Sequence, residues 1–336
     1  MNIIGEKFSY SKLSTFKECG YKYKLVYVDK HRVSMDTIAT LFGSLVHHIE
    51  EDMGNRIIDA GSVDALHDEY YDYLKDTFMT LDDKDKKLYG VNKLKEMFPN
   101  QWYEADKNGL TYQDKVDYYL SKGIYRLANY LRENPELEIK HTEMEFKMAY
   151  KEKILYGFID RVYYNRKTDT YIVEDIKTYS KDIESKKLKV PLQMVVYTLA
   201  MKDKIENCKV ACQYELPLIG SRQLVKNKSY LNMGEDEMDK LFEDIVAEDF
   251  IPHPTPLCHW CQFCPTNPDQ PEEGKNLCPY YCKWTRENKT MAVLNRWQGK
   301  EKDILLVESL KKPQVKVTTT IRPITINPKR IVRRRG

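Results

Sequence analysis

In "YIVEDIKTYS", residues 171–180, three residues that favour a β-strand, Tyr171, Ile172 and Val173, run straight into Glu174, Asp175 and Lys177. A strand ending in clustered charge needs a reason, because each buried, unpaired charge is costly. Asp175 and Lys177 stand two apart and share one face of the strand, with Glu174 on the other. The preceding run, "GFIDRVYYN" (157–165), carries Asp160 on a neighbouring strand, and antiparallel pairing sets Asp160 beside Asp175. Two carboxylates converging with a lysine pack poorly, yet they suit a divalent cation. Mg²⁺ and Mn²⁺ take oxygen ligands, with substrate phosphate and water completing the shell. The backbone carbonyl of Ile176 is a further candidate ligand. Lys177 is then placed to orient water or to stabilise charge building on phosphorus. Spacing alone leaves an alternative open, an exposed Asp–Lys ladder on an edge strand.

Working outward, "IKHTEMEFKMAY" (139–150), "ILYGFIDRVYYN" (154–165) and "TYIVEDIKT" (170–178) read as an antiparallel meander with short polar turns. A helix at "VPLQMVVYTLAMKDK", a strand at "CKVACQYELPL" and a helix over about 235–247 complete a mixed sheet flanked by helices, an α/β architecture. Between about 38 and 135, "LFGSLVHHIEEDM", "SVDALHDEYYDYLKDTFMTL" and "TYQDKVDYYLSKGIYRLANYLREN" repeat apolar or aromatic residues at helical spacing, predicting a helical layer. Its tyrosines, Tyr70, Tyr71, Tyr73, Tyr118, Tyr119, Tyr125 and Tyr130, are candidate stacking platforms for bases, although such stripes are more often core. Residues 9–27 predict a short, serine-capped helix leading into an aromatic segment.

Two further pairs offer polar groups to a site. Gly43 and His47 share a helix face with Glu50 or Glu51 one turn on, and Gln193 and Tyr197 stand at i and i+4.

The chain has 336 residues, 42% hydrophobic and 31% charged, and no run long and apolar enough to span a membrane. The first residues lack the pattern of a secretory signal, so a cytoplasmic protein with no membrane partner is expected. Net charge is +3, but residues 311–336 hold nine Lys or Arg and no acid, leaving the rest of the chain net acidic. That basic tail suits a polyanion or is simply a solvated terminus.

Taken in order, "GSLVH" (43–47), "GFIDR" (157–161), "EDIKT" (174–178) and "QMVVY" (193–197) resemble the RecB-type branch of the PD-(D/E)XK nuclease superfamily. The resemblance implies a restriction-endonuclease-like core. It also implies His47, Asp160 and Asp175 as metal ligands, Lys177 as the catalytic lysine, and Gln193 and Tyr197 as accessory residues near the scissile phosphate. Glu174, on the opposite face, receives no catalytic role.

Eight cysteines in a chain of this kind do not read as a disulfide framework. Cys19 stands near the start, while Cys258, Cys261, Cys264, Cys278 and Cys282 crowd into "CHWCQFCPTNPDQPEEGKNLCPYYC", a spacing suited to Zn²⁺ or an iron–sulfur cluster. Members of the same nuclease branch, the CRISPR-associated four-cysteine exonucleases among them, carry such a cluster. "SYSKLSTFKEC" (9–19), "CHWCQF" and the C-P pair at 278–279 are similar to their cysteine segments, which implies a [4Fe–4S] cluster on Cys19, Cys258, Cys261 and Cys278. The spacer before Cys278 is longer than in the family, so Cys264 and a zinc site remain alternatives. Cys208 and Cys212, alternating along a predicted strand, are expected to be buried core thiols.

These readings divide the chain into an N-terminal segment with cluster cysteine and ligand helix (1–50), a helical insertion (51–137), the nuclease core (138–250), a cysteine-rich segment (251–290) and the basic tail (291–336). The resemblance implies a Mg²⁺- or Mn²⁺-dependent DNA nuclease, an exonuclease on single-stranded ends. The rival expectation is a non-catalytic nucleic-acid-binding accessory protein. Expected partners are DNA, preferentially single-stranded, and a helicase or recombinase.

Overall fold

The computed structural model describes residues 2–253, then 258, 260–264, 267, 270–275 and 277–278, and the backbone of three short strands beyond. The basic stretch 311–336 and Pro279 of the C-P pair lie outside the described residues. Strand β1 (Lys7–Phe8) leads into α1 (Tyr10–Glu18), whose first turn is capped by the Ser9 hydroxyl accepting from the Lys12 amide. Helix α2 (Gly20–Tyr23) widens into a π turn at Lys24–Val28, where the sequence suggested only an aromatic segment.

The long helix α3 (Ile38–Ala60) opens on a capping box between Thr37 and Thr40 and closes at Gly61, which takes the left-handed conformation (φ 66°). It runs unbroken across residue 50, so the division placed there falls within one helix. Next come α4 (Asp68–Thr80), a tiny hairpin of β2 (Asp82–Asp83) and β3 (Leu88–Tyr89), and α5 (Val91–Met97). Helices α6 (Pro99–Trp102), α7 (Tyr112–Ser121) and α8 (Arg126–Glu133) complete the helical layer. Its core runs from Leu41, Leu45 and Ile49 of α3 to Phe78, Trp102 and Tyr119. Tyr71 and Tyr119 are buried there and offer no face to a base, whereas Tyr73 is 54% exposed.

Strands β4 (Leu137–Tyr150), β5 (Lys153–Asn165) and β6 (Thr170–Ile176) form the expected meander. Helix α9 (Leu192–Lys204) crosses over to β7 (Lys209–Leu216), parallel to β6, and β8 (Ser221–Leu224) forms the antiparallel edge. Helix α10 (Tyr230–Val246) starts earlier than its sequence pattern suggested and packs on α9. Farther on, the backbones of β9 (Tyr280–Trp284), β10 (Met291–Asn295) and β11 (Lys300–Lys302) pair antiparallel.

Alternation along the central strands feeds two cores. Val162 and Val173 point to a core shared with α1, α9 and α10, while their neighbours Tyr163 and Ile172 point to the helical layer. The sheet also forks. One edge of β5 pairs with β1 at Ile154 and Leu155 and with β6 from Arg161 onward, so residues 156–160 lie between the two partners. Asp160 sits in that fork.

Candidate active site

Four elements converge at the fork. From α3, His47 brings Nδ1 to 3.7 Å from Asp160 Oδ2. From β5, the same Asp160 oxygen accepts the Ile176 amide at 2.6 Å, closing the gap between β5 and β6 just past their last ladder pair, Arg161 with Glu174. One step beyond that pair, Asp175 stands opposite Asp160, and its Oδ2 lies 2.7 Å from Lys177 Nζ. From β4, Glu143 completes the set: His47, Glu143 and Asp160 can each present a ligand atom within 4.8 Å of the others.

Glu143 reaches the site by a local departure from strand geometry. The ladder pairs Thr142 with Arg161 and Met144 with Ile159 but skips Glu143 and Asp160. Glu143 itself adopts φ 41°, a strained conformation for a residue other than glycine, and such strain recurs at functional sites. Outside lies a cleft of about 870 Å³, lined by Gly43, His47 and Glu51 of α3, by Lys86 of the β2–β3 hairpin, and by Glu143. A Cβ at Gly43 would stand 3.4 Å from Thr178 Oγ1, so the glycine lets α3 come close to the segment that follows β6.

The electrostatics are those of a site short of positive charge. Burial raises the pKa of Asp160 to about 6, against the pull of the Ile176 amide and Lys177. Burial also raises Asp175 to about 7, with Lys177 opposing and Asp160 adding to the rise. Glu143 rises to about 7 through burial and the nearby Asp160 and Glu51. Burial would lower the Lys177 pKa, but the Asp175 carboxylate holds it above its ordinary value. His47 keeps an edge open to the cleft, yet crowding strips water from the ring and lowers its pKa. Asp175 Oδ2 is buried and, despite its ion pair, makes no bond of hydrogen-bond geometry among the described residues. Carboxylates crowded until they resist ionising, with a neutral imidazole beside them, form a donor set that a divalent cation fits.

The structure therefore gathers His47, Asp160, Asp175, Ile176 and Lys177 in one place. The Ile176 carbonyl, the expected backbone ligand, lies beside the His47 ring. Gln193 donates to the Tyr197 hydroxyl at 2.8 Å, and the charges of Asp175 and Asp160 both reach that phenol. Glu50 does not turn toward the site and is buried beneath it, so of the two acids considered one turn beyond His47 only Glu51 faces the cleft. Glu143 is the residue the sequence reading missed. A signal existed, since the tight turn that pairs Tyr150 with Lys153 counts back to place Glu143 opposite Asp160. Tyr10, whose phenol feels Lys177 and Asp175, was missed as well.

A second cavity, of about 270 Å³ and largely apolar, is lined by five thiols: Cys19, Cys258, Cys261, Cys264 and Cys278. Cys19 Sγ accepts two backbone amides, Lys22 and His253, each at 3.4 Å. Burial raises the Cys261 thiol to about 11. Cys212 is buried as expected, while Cys208 is only half-buried.

No curated protein matches the chain. Among solved structures, a crystal structure of SSO0001 shares 21% identity over 43% of this chain and 66% of that one, just under two thirds of its length, with a TM-score of 0.27. A superposition so loose carries no argument. The sequence pattern of the PD-(D/E)XK nuclease superfamily, by contrast, matches residues 7–266, most of the chain and every residue of the fork. The chain belongs to the PD-(D/E)XK nuclease superfamily.

Proposed function

We propose that this nuclease is a Mg²⁺- or Mn²⁺-dependent exonuclease acting on single-stranded DNA ends in recombination, repair or phage- or CRISPR-related DNA processing. The observation that carries the reading is the convergence of His47, Glu143 and Asp160 within 4.8 Å, beside a buried Asp175–Lys177 pair. His47, Glu143, Asp160 and the Ile176 carbonyl would hold the cation, with Asp175 joining once its charge is shared between the cation and Lys177. A divalent ion bound there supplies Lewis-acid polarisation of the phosphate and acidifies water.

The remaining work falls to side chains. Lys177, kept charged by Asp175, stabilises negative charge as it builds on phosphorus. Tyr197, held by Gln193, offers its hydroxyl as a donor to a phosphate oxygen. The cleft is walled by α3 and by Lys86 and Leu88 around the β2–β3 hairpin, and such walls would admit one strand. For the thiol cavity we infer a [4Fe–4S] cluster on Cys19, Cys258, Cys261 and Cys278, with zinc or Cys264 as the alternatives. In support, Cys19 Sγ accepts two backbone amides, and a metal would offset the burial of Cys261.

The test is cleavage of end-labelled linear single-stranded and duplex DNA, with Mg²⁺ or Mn²⁺, by anaerobically purified wild type and Lys177→Ala. Degradation from the ends of the single strand, abolished by the substitution, is expected. Equal cleavage of closed circular single strands would argue against end dependence, and DNA binding without cleavage would favour an accessory role. Iron and acid-labile sulfide analysis separates the cluster from zinc.

A further inference from the structure

Beneath the site, on the opposite side of β5 and β6, six charged side chains form one alternating chain. Arg161 is its hub. Its Nη1 donates to Glu174 Oε1 at 2.9 Å, and its Nη2 donates to Glu50 Oε2 at 3.1 Å and to the Glu50 backbone carbonyl at 2.8 Å. Glu174 continues to Arg222 at 3.3 Å, Arg222 to Glu215 at 2.6 Å, and Glu215 to Arg126 at 2.5 Å. Three acids meet three arginines, so the chain is neutral. Neutral donors add to it: Tyr119 bonds Glu50 at 3.1 Å, Tyr163 bonds Glu174 at 2.8 Å, and Gln213 bonds its other oxygen at 2.6 Å, while Arg161 Nε, Glu215 Oε2 and two Arg222 nitrogens make no bond of hydrogen-bond geometry among the described residues.

The first three members occupy telling positions. Arg161 follows Asp160, Glu174 precedes Asp175, and Glu50 lies three residues from His47 on α3. Alternation along a strand turns one residue of each adjacent pair into the site and the other into the chain. Arg161 therefore ties together the three elements that carry His47, Asp160 and Asp175. Gly54 makes the approach possible, since a Cβ there would come within 2.3 Å of Thr142 Cγ2 on β4, the residue paired with Arg161. Stability alone does not account for such a chain, because replacing a buried ion group with neutral side chains of similar volume is often neutral or stabilising.

We propose that Arg161, clamped between Glu50 and Glu174, is a positioning residue that fixes α3, β5 and β6 so that their site residues reach one cation. The proposal rests on the reading of His47 and Asp160 as metal ligands, and the experiment separates the two. Mn²⁺ binding is measured by calorimetry on wild type, Asp160→Asn, Glu50→Gln/Arg161→Met and Arg161→Lys, alongside thermal melts without metal and the kcat and KM for DNA. The double variant removes one acid and one base and leaves Glu174, Arg222, Glu215 and Arg126 balanced.

Expected is a melt close to wild type, Mn²⁺ affinity weakened roughly 10- to 100-fold as when a ligand's supporting partner is lost, and a lower kcat at unchanged KM. Arg161→Lys keeps the charge but cannot fork to two acids, and an intermediate loss is expected. A double variant that melts and binds Mn²⁺ like wild type overturns the proposal. If that variant does not fold, wild-type Mn²⁺ affinity in Arg161→Lys overturns it equally. Wild type and Asp160→Asn binding Mn²⁺ alike would instead overturn the ligand reading itself.

Discussion

Glu174 and Asp175 are neighbours in sequence, both carboxylates, both buried, and they live in opposite circumstances. Glu174 has two arginines, a tyrosine and a glutamine on its two oxygens, and its pKa stays below the ordinary value because those partners outweigh a large burial penalty. Asp175 has one lysine, a buried oxygen without a hydrogen bond, and a pKa pushed up to about 7. On the next strand Arg161 forks to two acids, while Asp160 accepts one backbone amide. Identity and burial do not separate Glu174 from Asp175; the number of partners does. Below the sheet three acids balance three arginines, whereas above it the carboxylates of Asp160, Asp175 and Glu143 outnumber Lys177 by about the charge of one divalent cation.

The largest effects should come from exchanging the two circumstances. Asp175→Asn is expected to lower cleavage roughly 1,000-fold, in the range of losing a key electrostatic group, without destabilising the metal-free protein. Glu174→Gln should do the reverse at first, costing about 3–5 kcal/mol in chemical denaturation because it strands buried arginines. A stable Glu174→Gln protein would break the comparison.

Next in size is a pH effect. Asp160, Asp175 and Glu143 have folded pKa values above those of the unfolded chain, so between about pH 4 and 7 the folded state binds more protons. Their contribution is thus complete below about pH 4 and is lost as the pH rises through 6 to 7. EDTA-treated protein should lose about 2 kcal/mol or more over that interval, one pKa unit being worth about 1.4 kcal/mol, and Mn²⁺ should restore the loss at pH 8. Stability of the metal-free protein that rises from pH 5 to 8 would contradict the assignment.

Smaller is Gly54→Ala, which forces α3 away from Thr142 and should cost about 1–3 kcal/mol, typical of overpacking. Least of all is Lys93→Ala. Its partner Glu96 is the more exposed of the two, and the melting temperature should not move.

The strand period made most of the site readable. A period of two sets Asp175 and Lys177 on one face and places Asp160 across from them, and the meander from 137 to 176 formed as its alternation required. Residues 82–102 fold into four elements too short to show a period, and they went unread. Glu143 looks no different from Glu145 in "TEMEF" until the register is counted back from the turn at Tyr150 and Lys153, and its backbone at φ 41° leaves no mark in the sequence. Glu50 and Arg161 are 111 residues apart, and no local pattern announces that pairing.

That separation has a consequence for how the protein is made. A chain emerging from its first residue onward carries α3 long before Arg161 exists, and Glu50 must stay in water until its counter-ion appears. A hydrated charge in the middle of an otherwise apolar stripe resists premature burial of that stripe against whatever is at hand. Arg126 likewise waits 89 residues for Glu215. The ion chain would thus set a schedule, because each of its charges can be buried with its partner only once β5, β6 and β7 have been synthesised.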